Sequence, residues 1–80
     1  MNPLTVPPEQ LQEYISRLTP RQVDVIKCLA EGRSDKETAT ILSISVRAVR
    51  RRVLQARAKM GVENRIQLIV VFAMHKVMKQ

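Results

Sequence analysis

The segment from Thr19 to Gly61 contains three helix starts in succession, and this succession constrains the fold more than any other feature. The starts are Thr19-Pro20-Arg21-Gln22, Ser34-Asp35-Lys36-Glu37 and Ser45-Val46-Arg47-Ala48. Ser and Thr are preferred N-caps because their hydroxyls accept hydrogen bonds from the first turn, and Gln or Glu three residues later completes a capping box. Gly32 and Gly61 are placed to end the first and third of these helices. The segment therefore predicts three helices joined by tight turns, over residues 20–31, 35–42 and 46–60.

One further helix is predicted on each side of this segment. A leader helix over residues 8–17 carries apolar residues at helical spacing, namely Leu11, Tyr14 and Ile15, continued by Leu18. A fourth helix is expected after the N-cap Asn64 and should continue to about Met78. Because 80 residues support one small domain, the expected fold is all-α, with an N-terminal arm and leader helix over 1–17 and a four-helix unit over 18–80.

The third helix of the four-helix unit separates apolar from basic residues. Val49, Val53, Ala56 and Met60 form a narrow stripe that is expected to face the core. Successive residues of a helix are rotated by about 100°, which places five other residues on the side opposite this stripe. These positions are Arg47, Arg50, Arg51, Leu54 and Ala58.

The charge of the chain indicates a polyanionic partner. The formal net charge is +7, and no acidic residue occurs from Thr38 to Val62. A basic surface alone is also compatible with simple solvation. However, two short helices of which the second is strongly basic are typical of a motif that binds in a groove of double-stranded DNA. Aromatic residues make up only 2% of the chain, which argues against a base-stacking surface for RNA or single strands.

Other classes of function find little support in the sequence. A single cysteine, Cys28, and a single histidine, His75, exclude an internal disulfide and a Cys/His metal cluster. No nucleophile–base pair or phosphate-binding loop indicates an enzyme, and no cofactor is expected. No apolar stretch is long enough to span a membrane and no signal peptide is recognisable, so we expect a reducing, cytoplasmic setting without a membrane partner.

The run from Leu18 to about Val77 closely resembles the LuxR-type (FixJ/NarL) helix-turn-helix domain of bacterial regulators. The elements that carry the resemblance are LTPR at 18–21, LAEG at 29–32, Ser34 with KE at 36–37, Ala39, IS at 44–45, Val49-Arg50 and KMGV-x-NR at 59–65. The chain departs from the family pattern at Gln22, where a glutamate is usual, and at Thr38, where an aliphatic residue is usual. Ala48 and Arg52 stand where the family carries a threonine and a histidine that contact phosphates.

The resemblance implies a third helix in the major groove, a fourth helix that forms a dimer contact, and binding of a homodimer to inverted half-sites. From the residues themselves we expect Arg50 and Arg51, with Arg47, to contact base edges, because the arginine fork matches guanine O6 and N7. Leu54 could contact a thymine methyl group. The remaining predicted DNA contacts lie at the flanks of this surface and at the start of the second helix. They are Ala48, Arg52, Arg57, Ser34 and Lys36.

The fourth helix is apolar on two sides, which a domain this small has too little core to bury. One face contains Ile66, Ile69, Val70, Ala73 and Val77. The other face contains Leu68, Val71, Phe72, His75 and Met78, and we expect it to form the homodimer interface. The alternative is that the leader helix covers this second face.

Two other functions remain possible on the sequence. The third helix, SVRAVRRRVLQARAKM, also resembles region four of bacterial sigma factors, which would indicate a module for promoter or RNA polymerase binding. The apolar fourth helix would also suit a module that binds and modulates another regulator. The resemblance of GVENRIQLIVV to the LuxR type favours the first interpretation. The initiating Met1 favours a stand-alone regulator over a fragment.

Overall fold

The computed structural model describes residues 10–78, with side chains described as far as His75. This part of the chain contains five helices and no strand, as the sequence predicts. They are α1 (Leu11–Ser16), α2 (Pro20–Ala30), α3 (Asp35–Leu42), α4 (Val46–Met60) and α5 (Arg65–Met78). Helix α1 is the leader helix, although the first two residues predicted for it, Pro8 and Glu9, and the predicted arm lie outside the described residues.

The helix starts have the hydrogen bonds that the cap residues predict. Thr19 and Gln22 form a reciprocal capping box at α2, and Ser34 and Glu37 form another at α3. Ser45 Oγ accepts from the Ala48 N–H at 3.0 Å at the start of α4. Each of these bonds satisfies a backbone N–H that has no partner inside its helix. The boundaries of these helices therefore follow from local sequence.

The turn between α3 and α4 is tight because α3 ends in a left-handed residue. Ser43 has φ 56° and ψ 44°, and the Ile44 N–H donates to the Ala39 carbonyl at 2.9 Å. This bond closes the end of α3 and reverses the chain within three residues, so that α4 starts beside α3. Helices α3 and α4 are thereby held at a defined angle to each other. Helix α2 packs against α4 as well.

The core is formed by one cluster of side chains from all five helices. Its members are Leu11, Tyr14, Leu18, Val25, Ile26, Leu29, Ala39, Val49, Val53, Ala56, Met60, Val62, Leu68, Val71 and Phe72. Thr38 is also fully buried, and its hydroxyl has no hydrogen-bond partner among the described residues. The departure from an aliphatic residue at this position therefore leaves an uncompensated polar group in the core.

The predicted dimer face of α5 lies inside the protomer. The exposed fractions of Leu68, Val71 and Phe72 are 1%, 0% and 8%, so the expectation that they form a subunit interface is wrong. The physical reason is that α1, α2 and α4 all pack against α5, and Leu11 and Tyr14 of α1 join the same cluster.

The two remaining members of the predicted dimer face are His75 and Met78. His75 is half-buried in the protomer. The side chain of Met78 lies outside the described residues. His75 therefore does not restore the second face of α5 as an exposed surface.

The opposite face of α5 is exposed. Ile66 and Val70 are 70% and 42% exposed, and Ala73 is exposed on the same side. Ile69 lies at its margin and is half-buried. The helix is thus apolar on both sides, as predicted, but α1, α2 and α4 bury one side and the other is exposed.

Candidate nucleic-acid interface

Helix α4 presents its basic residues to solvent because its apolar stripe is fully used by the core. Val49, Val53, Ala56 and Met60 are all at most 6% exposed. The basic positions on the opposite side are exposed, as is Leu54, whose exposed fraction is 61%. These basic positions are Arg47, Arg50 and Arg51. A large aliphatic side chain among exposed cations has no role in the core, and it suits contact with an apolar group on a polyanionic partner.

A second group of cations lies where the start of α2 meets α4. Arg51 and Arg52 line a shallow cleft together with Arg21, Thr19 and Gln55. Arg21 is not among the DNA contacts predicted from the sequence. Its place in the first turn of α2 was evident, but its nearness to α4 depends on how the two helices cross.

The start of α3 contributes a third group. Arg33, Ser34 and Lys36 line a surface depression with Thr40 and Ile41. Ser34 Oγ is occupied by the Glu37 N–H at 3.0 Å, and the Glu37 carboxylate accepts from the Ser34 N–H at 2.9 Å. The hydrogen bond from the Ser34 N–H, with a smaller contribution from the Ser34 hydroxyl, lowers the pKa of Glu37 below its ordinary value.

An ion-pair network links the starts of α3 and α5 to the middle of α4. The Asp35 carboxylate accepts two bonds from Arg65, at 2.5 and 3.1 Å, and it lies 3.4 Å from Nε of Arg50. The hydrogen bond from Arg65 is the main reason that the pKa of Asp35 is lowered, and the same bond raises the pKa of Arg65. Arg50 is predicted from the sequence to read a base, but the sequence does not indicate that Asp35 and Arg65 are its neighbours. Arg50 and Arg65 follow Asp35 by 15 and 30 positions in the chain, and contacts over such separations leave no local signal in the sequence.

Two other predicted contact residues have particular surroundings. Arg57 is half-buried, and its Nη2 donates to the backbone carbonyl of Glu63, so it holds the connection between α4 and α5. Ala48 is half-buried at the start of α4 and offers only its methyl group, since its N–H is bonded to Ser45.

Comparison with known proteins agrees with this geometry. Residues 16–72 match the model of the family described as bacterial regulatory proteins, luxR family. The chain belongs to the LuxR family. This match includes the whole of α4, the helix that by sequence also resembled sigma region four, and the family is one of DNA-binding transcriptional regulators.

Individual relatives of this LuxR-family chain are larger proteins. The nitrate/nitrite response regulator protein NarP of Escherichia coli is 33% identical over 61 residues, covering 76% of the chain and 28% of the relative. The transcriptional activator protein BjaR1 of Bradyrhizobium diazoefficiens is 34% identical over 62 residues, covering 78% of the chain and 26% of the relative. A mycobacterial relative, named as an HTH-type transcriptional regulator, is 38% identical over 52 residues, or 65% of the chain and 6% of that protein. No solved structure gives a significant match.

In the part of the chain that the structure describes, no helix has both the length and the apolarity needed to cross a membrane. Among the same residues, no group of three His, Cys, Asp or Glu side chains is placed to hold a metal ion. Cys28 is a buried free cysteine in α2.

Proposed function

We propose that this LuxR-family chain is a sequence-specific regulator of transcription that binds double-stranded DNA as a homodimer on inverted half-sites. The observation that carries the proposal is the division of α4, whose apolar stripe is buried while Arg47, Arg50 and Arg51 are exposed along its outer side. A basic helix that is joined by a tight turn to a second helix, here α3, fits the major groove of B-DNA.

Base recognition is assigned to the outer side of α4. Arg50 and Arg51 are exposed near the middle of the helix and can direct two donors at guanine O6 and N7. Arg47 lies about one turn earlier. Leu54 lies about one turn later, and its exposed side chain suits a thymine methyl group. The order of these residues along α4 should set the order of the base pairs that they read.

Phosphate contacts are assigned to the two flanks of α4. Arg52 and Arg21 share a cleft at one flank of α4. Ser34 and Lys36 lie at the start of α3 on the other helix of the motif. Phosphate contacts set affinity and its dependence on salt, but they carry no sequence information by themselves.

The homodimer contact is assigned to the exposed face of α5. Ile66, Val70 and Ala73 lie there without cover from the protomer, and exposed apolar side chains in one row are typical of an association surface. This face replaces the one that the sequence pattern favoured. An isologous contact through α5 would relate two α4 helices by a two-fold axis, which is what inverted half-sites require.

The test of the proposal is a selection of bound duplexes from a random-sequence pool at near-physiological salt. An enriched inverted repeat is the expected result. Enrichment of a single asymmetric site would instead favour a sigma-like mode of promoter binding. Binding to all duplexes without enrichment would contradict sequence-specific recognition and indicate that a partner supplies the specificity.

The role of α4 is tested by the pair Arg50→Ala and Lys36→Ala. Arg50→Ala should cost about 1–3 kcal/mol on the selected duplex and relax the preference at one base pair. Lys36→Ala should weaken binding to all duplexes alike and reduce the salt dependence, since it removes a phosphate contact. An unchanged base preference in Arg50→Ala would show that α4 is oriented differently in the groove.

A further inference from the structure

Asp35 lies beside the base-reading side of α4, although an acidic group there opposes the approach of DNA phosphates. Its side chain is 17% exposed, compared with 70% for Arg50. This carboxylate contacts Arg50 and Arg65, so it is set among basic side chains. A negative charge in this place lowers the affinity for any duplex and must be offset by some gain.

The carboxylate is itself fixed by Arg65. The two bonds between them, at 2.5 and 3.1 Å, form the planar fork-to-carboxylate arrangement that restricts both side chains. Asp35 is the first residue of α3 and Arg65 is the first residue of α5, so the pair also joins two helices. Asp35 therefore has little freedom to follow a moving partner.

Arg50 contacts this fixed carboxylate through one nitrogen only. Its Nε lies 3.4 Å from Oδ2 of Asp35, and within the described part of the chain no hydrogen bond or ion pair uses its Nη1 or Nη2. The two terminal nitrogens are thus left for an external acceptor. An otherwise free arginine would lose substantial side-chain entropy on binding, and a contact at Nε reduces that loss in advance.

We propose that Asp35, held by Arg65, is a positioning residue that orients the Arg50 guanidinium so that its terminal nitrogens face a guanine edge. The inference rests on the proposed function, in which Arg50 reads a base. Asp35 raises specificity because it favours the bound conformation of Arg50, whereas its charge weakens binding to all duplexes alike. It does not itself contact a base.

The experiment uses the duplex selected by the unmodified chain and a panel in which each base pair is replaced in turn. The proteins are the unmodified chain, Asp35→Asn, Arg50→Ala and the double variant. Arg50→Ala first identifies the base pair that Arg50 reads. Glu63→Gln is the matched control, because it removes one negative charge beside the same surface and, among the described residues, Glu63 contacts Arg57 and Gln67 through its backbone only.

Asp35→Asn is expected to reduce discrimination at the Arg50 base pair by about 2- to 10-fold, the range set by ordering one long side chain. Binding to unrelated duplexes should become tighter in both Asp35→Asn and Glu63→Gln. In the Arg50→Ala background, Asp35→Asn should no longer change discrimination. This loss of the effect separates positioning from a general contribution to folding, which urea unfolding of the same variants measures directly.

Full retention of discrimination by Asp35→Asn would overturn the inference while leaving the proposed function intact. An equal loss of discrimination with and without Arg50 would also overturn it, because Asp35 would then act only through the fold. Absence of any base preference in the unmodified chain would instead refute the proposed function, on which the role of Asp35 depends.

Discussion

Helices α4 and α5 are similar in length, 15 and 14 residues, but they distribute their apolar residues differently. In α4 a single stripe is buried, and the other sides are mainly basic or polar, with Leu54 as the large exposed apolar side chain. In α5 apolar residues cover two opposite sides, of which one is buried and the other exposed. Periodicity alone determines the inward side of α4, whereas for α5 it offers two sides of similar quality. The difference teaches that an apolar helix face has no assigned partner until the neighbouring elements are placed.

The largest expected effect concerns the two faces of α5. Leu68→Ala should reduce the free energy of unfolding by about 2–5 kcal/mol, because it opens a cavity in the core. Ile66→Ala should change it by less than about 0.5 kcal/mol, because that side chain is already exposed. Urea unfolding at low protein concentration measures both values. A larger loss for Ile66→Ala would reverse the assignment of the two faces.

A second prediction concerns association through the exposed face of α5. Val70→Arg should weaken self-association by at least about tenfold, or roughly 1.4 kcal/mol, because a charge would be buried in an apolar contact. The protomer should remain folded, since Val70 is 42% exposed. Sedimentation equilibrium over a range of concentrations measures the change. Ala58→Arg adds the same charge at an exposed position of α4 and should leave self-association unchanged.

This second prediction has two results that would count against it. A monomeric unmodified chain at high concentration would remove the dimer from the proposal. Equal self-association of the unmodified chain and Val70→Arg would move the contact to another surface.

A third prediction concerns the buried threonine of α3, Thr38. Thr38→Val should increase the free energy of unfolding by about 1 kcal/mol, because it removes a buried hydroxyl that has no partner and keeps the shape of the side chain. Thr40→Val is the matched control, since that hydroxyl is exposed and donates to the Lys36 carbonyl at 3.2 Å. Thermal unfolding compares the two variants. A destabilised Thr38→Val would mean that the hydroxyl makes a bond that the core requires.

The smallest expected effect concerns the Asp35 network that joins α3 to both α4 and α5. Because the pKa of Asp35 is lowered in the folded chain, its contribution to stability is present above the ordinary value of 3.8 and is lost as pH falls through the lower folded value. Asp35→Asn should therefore cost less than about 1 kcal/mol near neutral pH, and the difference from the unmodified chain should disappear in stronger acid. Urea unfolding at several pH values measures it. A difference that is the same at all pH values would exclude an electrostatic origin.

Much of the fold was predictable because its signals are local. The caps Thr19, Ser34 and Ser45 begin helices at the positions expected from their own neighbours, and Gly61 ends α4 in a left-handed conformation. The basic side of α4 was predictable for the same reason, because charged side chains are almost always at the surface of a small domain. These features depend on spacings of a few residues within one helix or turn.

The candidate site was predicted only in part, because some of its relations cross between helices. Arg21 joins Arg51 and Arg52, and Asp35 joins Arg50 and Arg65, only after the helices have packed. The base and phosphate roles of the predicted residues stay predictions. Arg57 is a case where a basic residue on α4 holds a loop carbonyl, which its charge alone does not indicate.

The sequence by itself determined the helices, their order, the basic surface of α4 and the apolar character of both sides of α5. Only the tertiary structure decided which side of α5 is buried, because that choice depends on how α1, α2 and α4 pack against this helix. Leu68, Val71 and Phe72 thereby join the core that includes Leu11 and Tyr14 of α1. Hydrophobic burial has no direction of its own, so two equally apolar faces are distinguished only by the element that reaches one of them.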